Sequence, residues 1–323
     1  MEKSEIRKDY FLDKYVIIAP KRAKRPQPVE KTETCTTSCY FCPDKLAGDE
    51  KITYTHKNDD GKWDILVMNN RYPALSEENP RAFGLQEIVI ETRVHCQELQ
   101  EFSTEHIVNV LNSYIDRYEK LNEINGIKHV IVFKNEGGKA GASISHSHSQ
   151  IIALPLVPPK AVEEAEAFVR YELEHNSCPY CDIIQKEAGK NRVIWEDKNL
   201  FVFAPYASDS PYGAWFVPKR HMKNFTELTY SEKESFAKAM KIVLAKLDEL
   251  GISYNYFFEN AVNSEDYHTH MKLSPRPNIW AGLELGTGVI INPIPPEFAA
   301  KVYKDEIKIE YSAERPNRIN IPK

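Results

Sequence analysis

The chain has 323 residues, with 42 Lys and Arg, 47 Asp and Glu and a formal net charge of −5. The charge is spread along the sequence and leaves no electrostatic footprint for nucleic acid, so no nucleic-acid partner is expected. No apolar run approaches the roughly 18 residues of a membrane span, and no membrane partner is expected either. The hydrophobic content of 42% supports an ordinary folded core, and the sequence predicts a cytoplasmic protein.

The first predicted elements lie near the N-terminus. Residues 10–20 predict a hairpin-like pair of strands, and a basic segment follows at 21–25. Such a segment is most often a solvated loop. Because this one directly follows a strand, Arg22 and Arg25 are also candidates for phosphate contact.

Four of the six cysteines form two Cys-x-x-Cys pairs, Cys39 with Cys42 and Cys178 with Cys181. Six cysteines could form three disulfides, but this spacing is typical of metal ligands in a reducing compartment. The first pair has no further ligands nearby in the sequence. Its remaining ligands must therefore come from far along the chain.

A strand, a helix and a second strand follow in the first half. The strand at 84–92 leads to His95, and the helix begins after Ser103, whose hydroxyl can cap its first turn. The helix carries one apolar stripe and ends near an Asn-Gly pair. A β-branched strand is predicted at 130–133.

The central motif is a glycine-rich loop at 135–145 followed by a strand that begins with His146, His148 and Gln150. Side chains alternate between faces of a strand, so these three side chains should form one row. The loop glycines would let backbone N–H groups face an anion. A lone buried histidine is usually a satisfied core group, and a glycine loop alone is a weak signal. Together they predict a phosphate-handling site.

The second half repeats this plan. The helix cap Ser103 lies eight positions after His95, and the equivalent cap Thr229 lies eight positions after His221. A cysteine pair, a histidine, a helix, a strand and a His-x-His motif recur in the same order. This recurrence indicates a tandem duplication.

The duplication predicts the fold class. We expect an α+β protein in which two duplicated units form a mostly antiparallel sheet array with flanking helices. The predicted halves are 1–160 and 161–323, and a helix-like segment at 161–174 connects them.

The repeat also assigns two histidines to each Cys-x-x-Cys pair. The two predicted ligand sets are Cys39, Cys42, His95 and His146, and Cys178, Cys181, His221 and His268. Four N and S ligands without an open position are typical of closed, structural zinc sites.

A metal on His146 would hold the strand and leave His148 as the free nucleophile. Its counterpart His270 is followed by Met271-Lys272 instead of a Ser-x-Gln pattern. We therefore expect only the first half to be reactive, with His270 in a degenerate or substrate-contacting role.

The motif His146-Ser-His148-Ser-Gln150, preceded by Asn135 and the glycine loop, resembles the active-site motif of the galactose-1-phosphate uridylyltransferase family, within the histidine-triad superfamily. The likeness covers nearly the whole chain and makes the two units histidine-triad-like. By this resemblance, the substrate contacts would be made by Arg22, Arg25, Asn70, Arg71, Asn135, Ser143 and Glu284.

The resemblance implies a ping-pong exchange of UMP between UDP-glucose and galactose 1-phosphate. His148 would attack the α-phosphorus of the nucleotide sugar, and the sugar 1-phosphate acceptor would then attack the nucleotidyl-histidine. Gln150 would donate a hydrogen bond to a non-bridging oxygen without activating water. The family completes its hexose pocket with a partner segment, here around Glu284, so a homodimer is expected.

Two departures favour a different branch of the family. The second Cys-x-x-Cys pair, and the absence of a Gln shortly after Glu284, look more like the branch that contains ADP-glucose phosphorylase. That branch uses adenine and inorganic phosphate. The sequence is also compatible with a histidine-triad hydrolase, a non-catalytic nucleotide binder and a zinc-dependent nucleic-acid binder, the last disfavoured by the net charge.

Overall fold

The structure is a computed structural model that describes residues 3–24, 39–46, 48, 51–262 and 266–306. Its strands are β1 Glu5–Lys8, β2 Tyr15–Ile18, β3 Ile52–Lys57, β4 Trp63–Asn69, β5 Leu85–Ile90, β6 His129–Glu136, β7 His148–Leu154, β8 Val193–Glu196, β9 Leu200–Phe203, β10 Ala214–Pro218, β11 Tyr254–Glu259, β12 His270–Pro275 and β13 Ile290–Asn292. Its α-helices are α1 Thr104–Asn122, α2 Pro159–His175, α3 Pro179–Glu187, α4 Tyr230–Glu249, α5 Gly282–Thr287 and α6 Pro296–Tyr303. None of these helices is long and apolar enough to cross a membrane.

Ten strands form one antiparallel sheet in the order β3-β4-β5-β7-β6-β11-β12-β10-β9-β8. From the outer edge to the centre, the strands are β3-β4-β5-β7-β6 in the first half and β8-β9-β10-β12-β11 in the second half. The two halves therefore have the same strand order. The two halves join where β6 pairs with β11, with Phe133 opposite Phe257 and Asn135 opposite Asn255. The predicted α+β class and the duplicated, mostly antiparallel array are thus confirmed. The division at residue 160 stays a prediction.

A smaller sheet consists of β1, β2 and β13, and it corrects the predicted strand pair at 10–20. The strand that pairs with β2 is β1, at residues 5–8, and the segment between them is a turn. The Asp9 carboxylate accepts hydrogen bonds from the backbone N–H groups of Phe11 and Leu12. This side-chain cap stabilises the turn and prevents an extended conformation at 10–13.

The main core lies between one face of the large sheet and the helices α1 and α4. The predicted caps are present, since Ser103 accepts a hydrogen bond from His106 N and Thr229 forms a capping box with Glu232. The residues of β4 and β9 alternate between faces. Val67 and Val202 point into this core, whereas their neighbours point to the opposite face.

A separate hydrophobic cluster packs on the opposite face of the sheet in each half. In the second half, α2 and α3 pack against the sheet through a cluster that includes Phe168, Tyr180, Phe203 and Tyr267. In the first half, the corresponding cluster is built around Phe41 and side chains of β4 and β5. Among the described residues, His148 keeps 7% exposure, against 1% for His270.

Candidate active site and metal clusters

His148 is the first residue of β7, and its imidazole orientation is fixed by the preceding turn of chain. Its Nδ1 donates to the backbone oxygen of His146 at 2.7 Å, and its ring lies 5.2 Å from the ring of Phe41. With the proton on Nδ1, the lone pair is on Nε2. In the described chain, no hydrogen bond engages Nε2, and the side chain keeps 7% exposure. Burial, aided by the positive charge of Lys134, lowers the pKa of His148 to about 4, so the imidazole is neutral at pH 7.

A buried polar network holds β7 from the helix side of the sheet. The Lys134 ammonium donates to Glu91 Oε2 and Ser147 Oγ at 2.8 Å each and to His148 O at 3.3 Å. The Glu91 carboxylate also accepts from Ser147 at 2.7 Å and from Ser149. The serines on either side of the histidine are therefore anchors for the strand, not only small spacers.

Gln150 is oriented by a chain of amides. Its Oε1 accepts a hydrogen bond from Gln86 Nε2 at 3.0 Å, and Gln86 Oε1 accepts from the backbone N–H of Ala74 at 3.0 Å. Because its oxygen is engaged, the Gln150 amide nitrogen is the group that can donate to a ligand. This orientation suits a contact to a phosphate oxygen.

The first predicted ligand set is assembled in space. His146 Nδ1 lies 3.4 Å from His95 Nδ1, 3.5 Å from Cys39 Sγ and 3.8 Å from Cys42 Sγ. Tetrahedral zinc with these ligands has ligand–ligand distances of about 3.3–3.8 Å. His146 Nε2 donates to Thr92 O at 2.8 Å, which turns Nδ1 towards the other ligands.

The second set has the same geometry. His268 Nδ1 lies 3.6 Å from Cys178 Sγ and 3.5 Å from Cys181 Sγ, and Cys181 Sγ is 3.7 Å from His221 Nδ1. His268 Nε2 donates to Pro218 O at 2.8 Å, as His146 does in the first half. All eight ligand atoms thus fall into two groups that can each hold a metal ion.

The glycine loop differs in part from the expectation. Gly137 has φ +80°, and a Cβ there would lie 2.3 Å from Ser253 Oγ, so glycine is needed for packing as well as for conformation. The N–H groups of Gly141 and Ala142 donate to carbonyl oxygens within the loop. The expectation that the glycines free their N–H groups for an anion is therefore wrong for Gly141.

Comparisons with known proteins agree with this geometry. The family model "Domain of unknown function (DUF4931) N-terminal domain" matches residues 20–157. ADP-glucose phosphorylase of Arabidopsis thaliana is 31% identical over 93% of this chain and 92% of the relative. Galactose-1-phosphate uridylyltransferase of Thermotoga maritima is 29% identical over 94% of this chain and 99% of the relative. The chain belongs to the galactose-1-phosphate uridylyltransferase and ADP-glucose phosphorylase family.

Solved structures of this family superpose over nearly the whole chain. The Arabidopsis thaliana ADP-glucose phosphorylase with bound ADP-glucose has a TM-score of 0.84 at 30% identity, covering 96% of this chain and 100% of that one. A uridylyltransferase structure has a TM-score of 0.73 at 28% identity, covering 93% and 98%. The protein is therefore an enzyme, of the nucleotidyltransferase type.

The residues that the family resemblance predicts to contact substrate lie in different parts of the structure. Arg71 lies with its guanidinium 5.3 Å from the ring of Tyr40, next to the Phe41 that touches His148. Asn70 is in the same segment, where its Oδ1 accepts from Tyr72 N. Both residues thus lie in the segment that follows β4, and their contact with substrate stays a prediction.

Asn135 lies at the centre of the sheet, where its Oδ1 accepts from Asn255 Nδ2 at 2.8 Å. It lines a cavity of about 770 Å³ together with Trp280 of the late segment. Glu284, on α5, caps its own helix by accepting from Ala281 N at 2.9 Å.

Arg22, in the short 3-10 helix Pro20–Lys24, and Ser143 are exposed. Arg25 lies outside the described residues. Within the described part of the chain, no hydrogen bond or ion pair connects Arg22, Ser143 or Glu284 to His148. Their roles in substrate binding stay predictions.

Sequence reasoning missed two residues beneath the nucleophile, Glu91 and Lys134. A signal was present, because Lys134 directly follows an apolar, β-branched run and Glu91 ends another. Charged residues at such positions are almost never fully buried unless they are paired. Both side chains have 0% exposure and pair with each other.

Proposed function

We propose that the protein transfers a nucleoside 5′-monophosphate from a nucleoside diphosphate sugar to a phosphate-bearing acceptor, through a covalent bond to His148. The observation that carries this proposal is the hydrogen bond from His148 Nδ1 to His146 O. It holds the imidazole as the tautomer whose lone pair is on Nε2. Membership of the family supports the same chemistry.

In the first step, the Nε2 lone pair of His148 attacks the α-phosphorus. The bond from the α-phosphorus to the bridging oxygen breaks, and the sugar 1-phosphate leaves with the electron pair. The charge that develops on the imidazole is stabilised by the His146 carbonyl, which accepts from Nδ1–H. The Gln150 amide donates to a non-bridging oxygen.

In the second step, a phosphate oxygen of the acceptor attacks the phosphorus and the electron pair returns to Nε2. Gln150 is a neutral amide and supplies no base that would activate water. Transfer to phosphate is therefore favoured over hydrolysis. Ping-pong kinetics follow from the two steps.

Two donor and acceptor pairs are candidates. UMP transfer between UDP-glucose and galactose 1-phosphate is supported by the Thermotoga maritima relative, which is matched over 99% of its length. AMP transfer from ADP-glucose to inorganic phosphate is supported by the TM-score of 0.84 to the Arabidopsis thaliana phosphorylase, against 0.73 for the uridylyltransferase structure. The second Cys-x-x-Cys pair favours this second candidate.

We further propose that both Cys2His2 groups hold structural zinc, since four N and S ligands complete a tetrahedron without an open position. The proposed dimer would use the exposed apolar side chains around Glu284. Ile279, Trp280 and Leu285 have 78%, 43% and 73% exposure. A partner subunit would cover them.

The test is the intact mass of the protein after brief incubation with UDP-glucose or ADP-glucose in the absence of acceptor. We expect one nucleotidyl adduct per chain in the native protein and none in His148→Gly. The matched control is His129→Gly, the same truncation at the far end of β6, which should keep the adduct.

The two candidates give different products. A uridylyl adduct that galactose 1-phosphate discharges to UDP-galactose would assign the uridylyltransferase. An adenylyl adduct discharged by inorganic phosphate would assign the phosphorylase. Full turnover in His148→Gly would contradict the mechanism altogether.

A further inference from the structure

The second half reproduces the orientation of the nucleophilic histidine. His270 Nδ1 donates to His268 O at 2.9 Å, as His148 Nδ1 donates to His146 O at 2.7 Å. Tyr180 takes the place of Phe41, since each directly precedes the second cysteine of its pair, and its ring lies 4.3 Å from that of His270. Nε2 of His270 is therefore directed as Nε2 of His148 is.

The space in front of His270 is filled by the chain itself. His270 is 1% exposed, and its Nε2 has no hydrogen-bond partner in the described chain. The Glu164 carboxylate lies beside this nitrogen, with Oε1 at 3.6 Å from Nε2. Glu164 belongs to α2, the helix that connects the two halves.

Several donors converge on the Glu164 carboxylate. Lys272, which occupies the position of Gln150, donates from Nζ to Oε1 and Oε2 at 2.8 and 2.6 Å. The hydroxyl groups of Tyr267, at 2.9 Å, and Tyr180 also donate to Oε1. The Glu164 carboxylate therefore accepts hydrogen bonds from one ammonium and two hydroxyl groups, which is more than a simple ion pair with Lys272 requires.

These donors are held in place by the second ligand set. Tyr180 lies between Cys178 and Cys181, and Tyr267 directly precedes His268. The polypeptide that carries the metal ligands therefore also shapes the surroundings of the carboxylate. In the described part of the first half, Phe41 and Gln150 stand at the positions of Tyr180 and Lys272.

We propose that the second half contains an oxyanion-binding site next to His270, built from Lys272, Tyr180 and Tyr267, which the Glu164 carboxylate occupies as an internal ligand. The chemical class of its ligand is a small carboxylate or phosphate oxyanion. The carboxylate stands where the first half would receive the phosphate of its substrate. The second half is thereby closed to nucleotides, whichever donor the first half uses.

The site can be opened by removing the internal ligand. Glu164 and Lys272 both line the cavity of about 770 Å³, which gives small solutes a path to the donors. Glu164→Ala would leave a space of the size of a carboxylate beside the buried Lys272 ammonium, whose remaining ion-pair partner is Glu259 Oε1 at 3.6 Å. An anion that enters this space should restore the lost hydrogen bonds.

The experiment measures thermal unfolding of the full-length protein in sodium formate, inorganic phosphate or chloride at equal ionic strength. In Glu164→Ala, we expect saturable stabilisation by formate or phosphate beyond chloride, with the unfolding equilibrium constant falling about tenfold at ten times the dissociation constant. Formate should stabilise native protein and the volume-matched control Glu164→Gln no more than chloride does, and stabilisation by phosphate that all three proteins share would come from the acceptor site of the first half. An equal response of all three proteins to formate would overturn the proposal.

A double-mutant cycle covers the case in which Glu164→Ala does not fold. Tyr267→Phe removes one donor, and hydrogen bonds to charged groups are the stronger ones. Its effect on the unfolding equilibrium constant should be about fivefold larger with Glu164 than with Glu164→Gln. Equal effects in both backgrounds would contradict the internal-ligand assignment.

Discussion

Lys134→Met should destabilise the protein through the network beneath His148. The Lys134 side chain has 0% exposure and makes hydrogen bonds to Glu91, Ser147 and the His148 carbonyl oxygen. Removing one partner of a buried ion pair costs about 3–5 kcal/mol, because the other charge stays buried without compensation. Glu91 would keep hydrogen bonds from Tyr114 and the two serines, so we expect a loss near the lower limit, about 3 kcal/mol.

A double-mutant cycle with Glu91→Gln measures the interaction energy of the Lys134–Glu91 pair apart from their contacts with other residues. Burial alone would raise the pKa of Glu91, but the adjacent Lys134 ammonium lowers it to about 2, so the carboxylate is charged at pH 7. The double variant has no buried charge to leave unpaired, and it should be more stable than Lys134→Met by about 1–3 kcal/mol.

Urea unfolding curves with an unchanged slope would measure these differences. Lys233→Met is the control, because the Lys233 ammonium donates to Asn112 at a partly buried position outside the network. It should cost about 1 kcal/mol or less. A loss below about 1 kcal/mol for Lys134→Met, or strictly additive single variants, would refute the assigned role of the pair.

Two further predictions concern the glycine loop and the metal clusters. Gly137→Ala would place a Cβ 2.3 Å from Ser253 Oγ at φ +80°, and it should lower stability by about 1–3 kcal/mol. Part of this loss should return in the double variant with Ser253→Gly, as measured by thermal unfolding, and no loss would contradict the close approach. Cys39→Ser should reduce bound zinc from two ions to one per chain, as measured by elemental analysis, because it removes one ligand of the first set. Retention of two ions would exclude this set as a zinc site.

The duplication and both ligand sets could be predicted from the sequence because each half checks the other. A single Cys-x-x-Cys pair does not identify its histidines. The equal spacing of His95 and His221 from their helix caps supplied the missing register, and the structure brings all eight ligands into two groups. Comparison of the two halves thus identified the histidine ligands, which the sequence of one half alone does not.

The residues that sequence reasoning missed are those whose partners are distant in the chain. Glu91 and Lys134 are 43 residues apart and meet only because β7 lies between β5 and β6. Glu164 was equally hidden, because it is one of several acidic residues on α2 and nothing local distinguishes it from its exposed neighbours. The turn at Asp9 was missed because its cap is a side-chain contact within an apparently extended segment.

The pairing of β6 with β11 joins the two halves of the large sheet and affects how the protein unfolds. Four residue pairs, from Phe133 opposite Phe257 to Glu136 opposite Tyr254, join the halves by a backbone ladder. Side-chain contacts reinforce it, among them the hydrogen bond between the hydroxyl groups of Tyr114 and Tyr256 at 2.8 Å. Cutting the chain between the halves would expose two unpaired strand edges, each a template for pairing with another chain. Either half expressed alone should therefore self-associate through that edge, and the intact sheet should lose its structure as one cooperative unit.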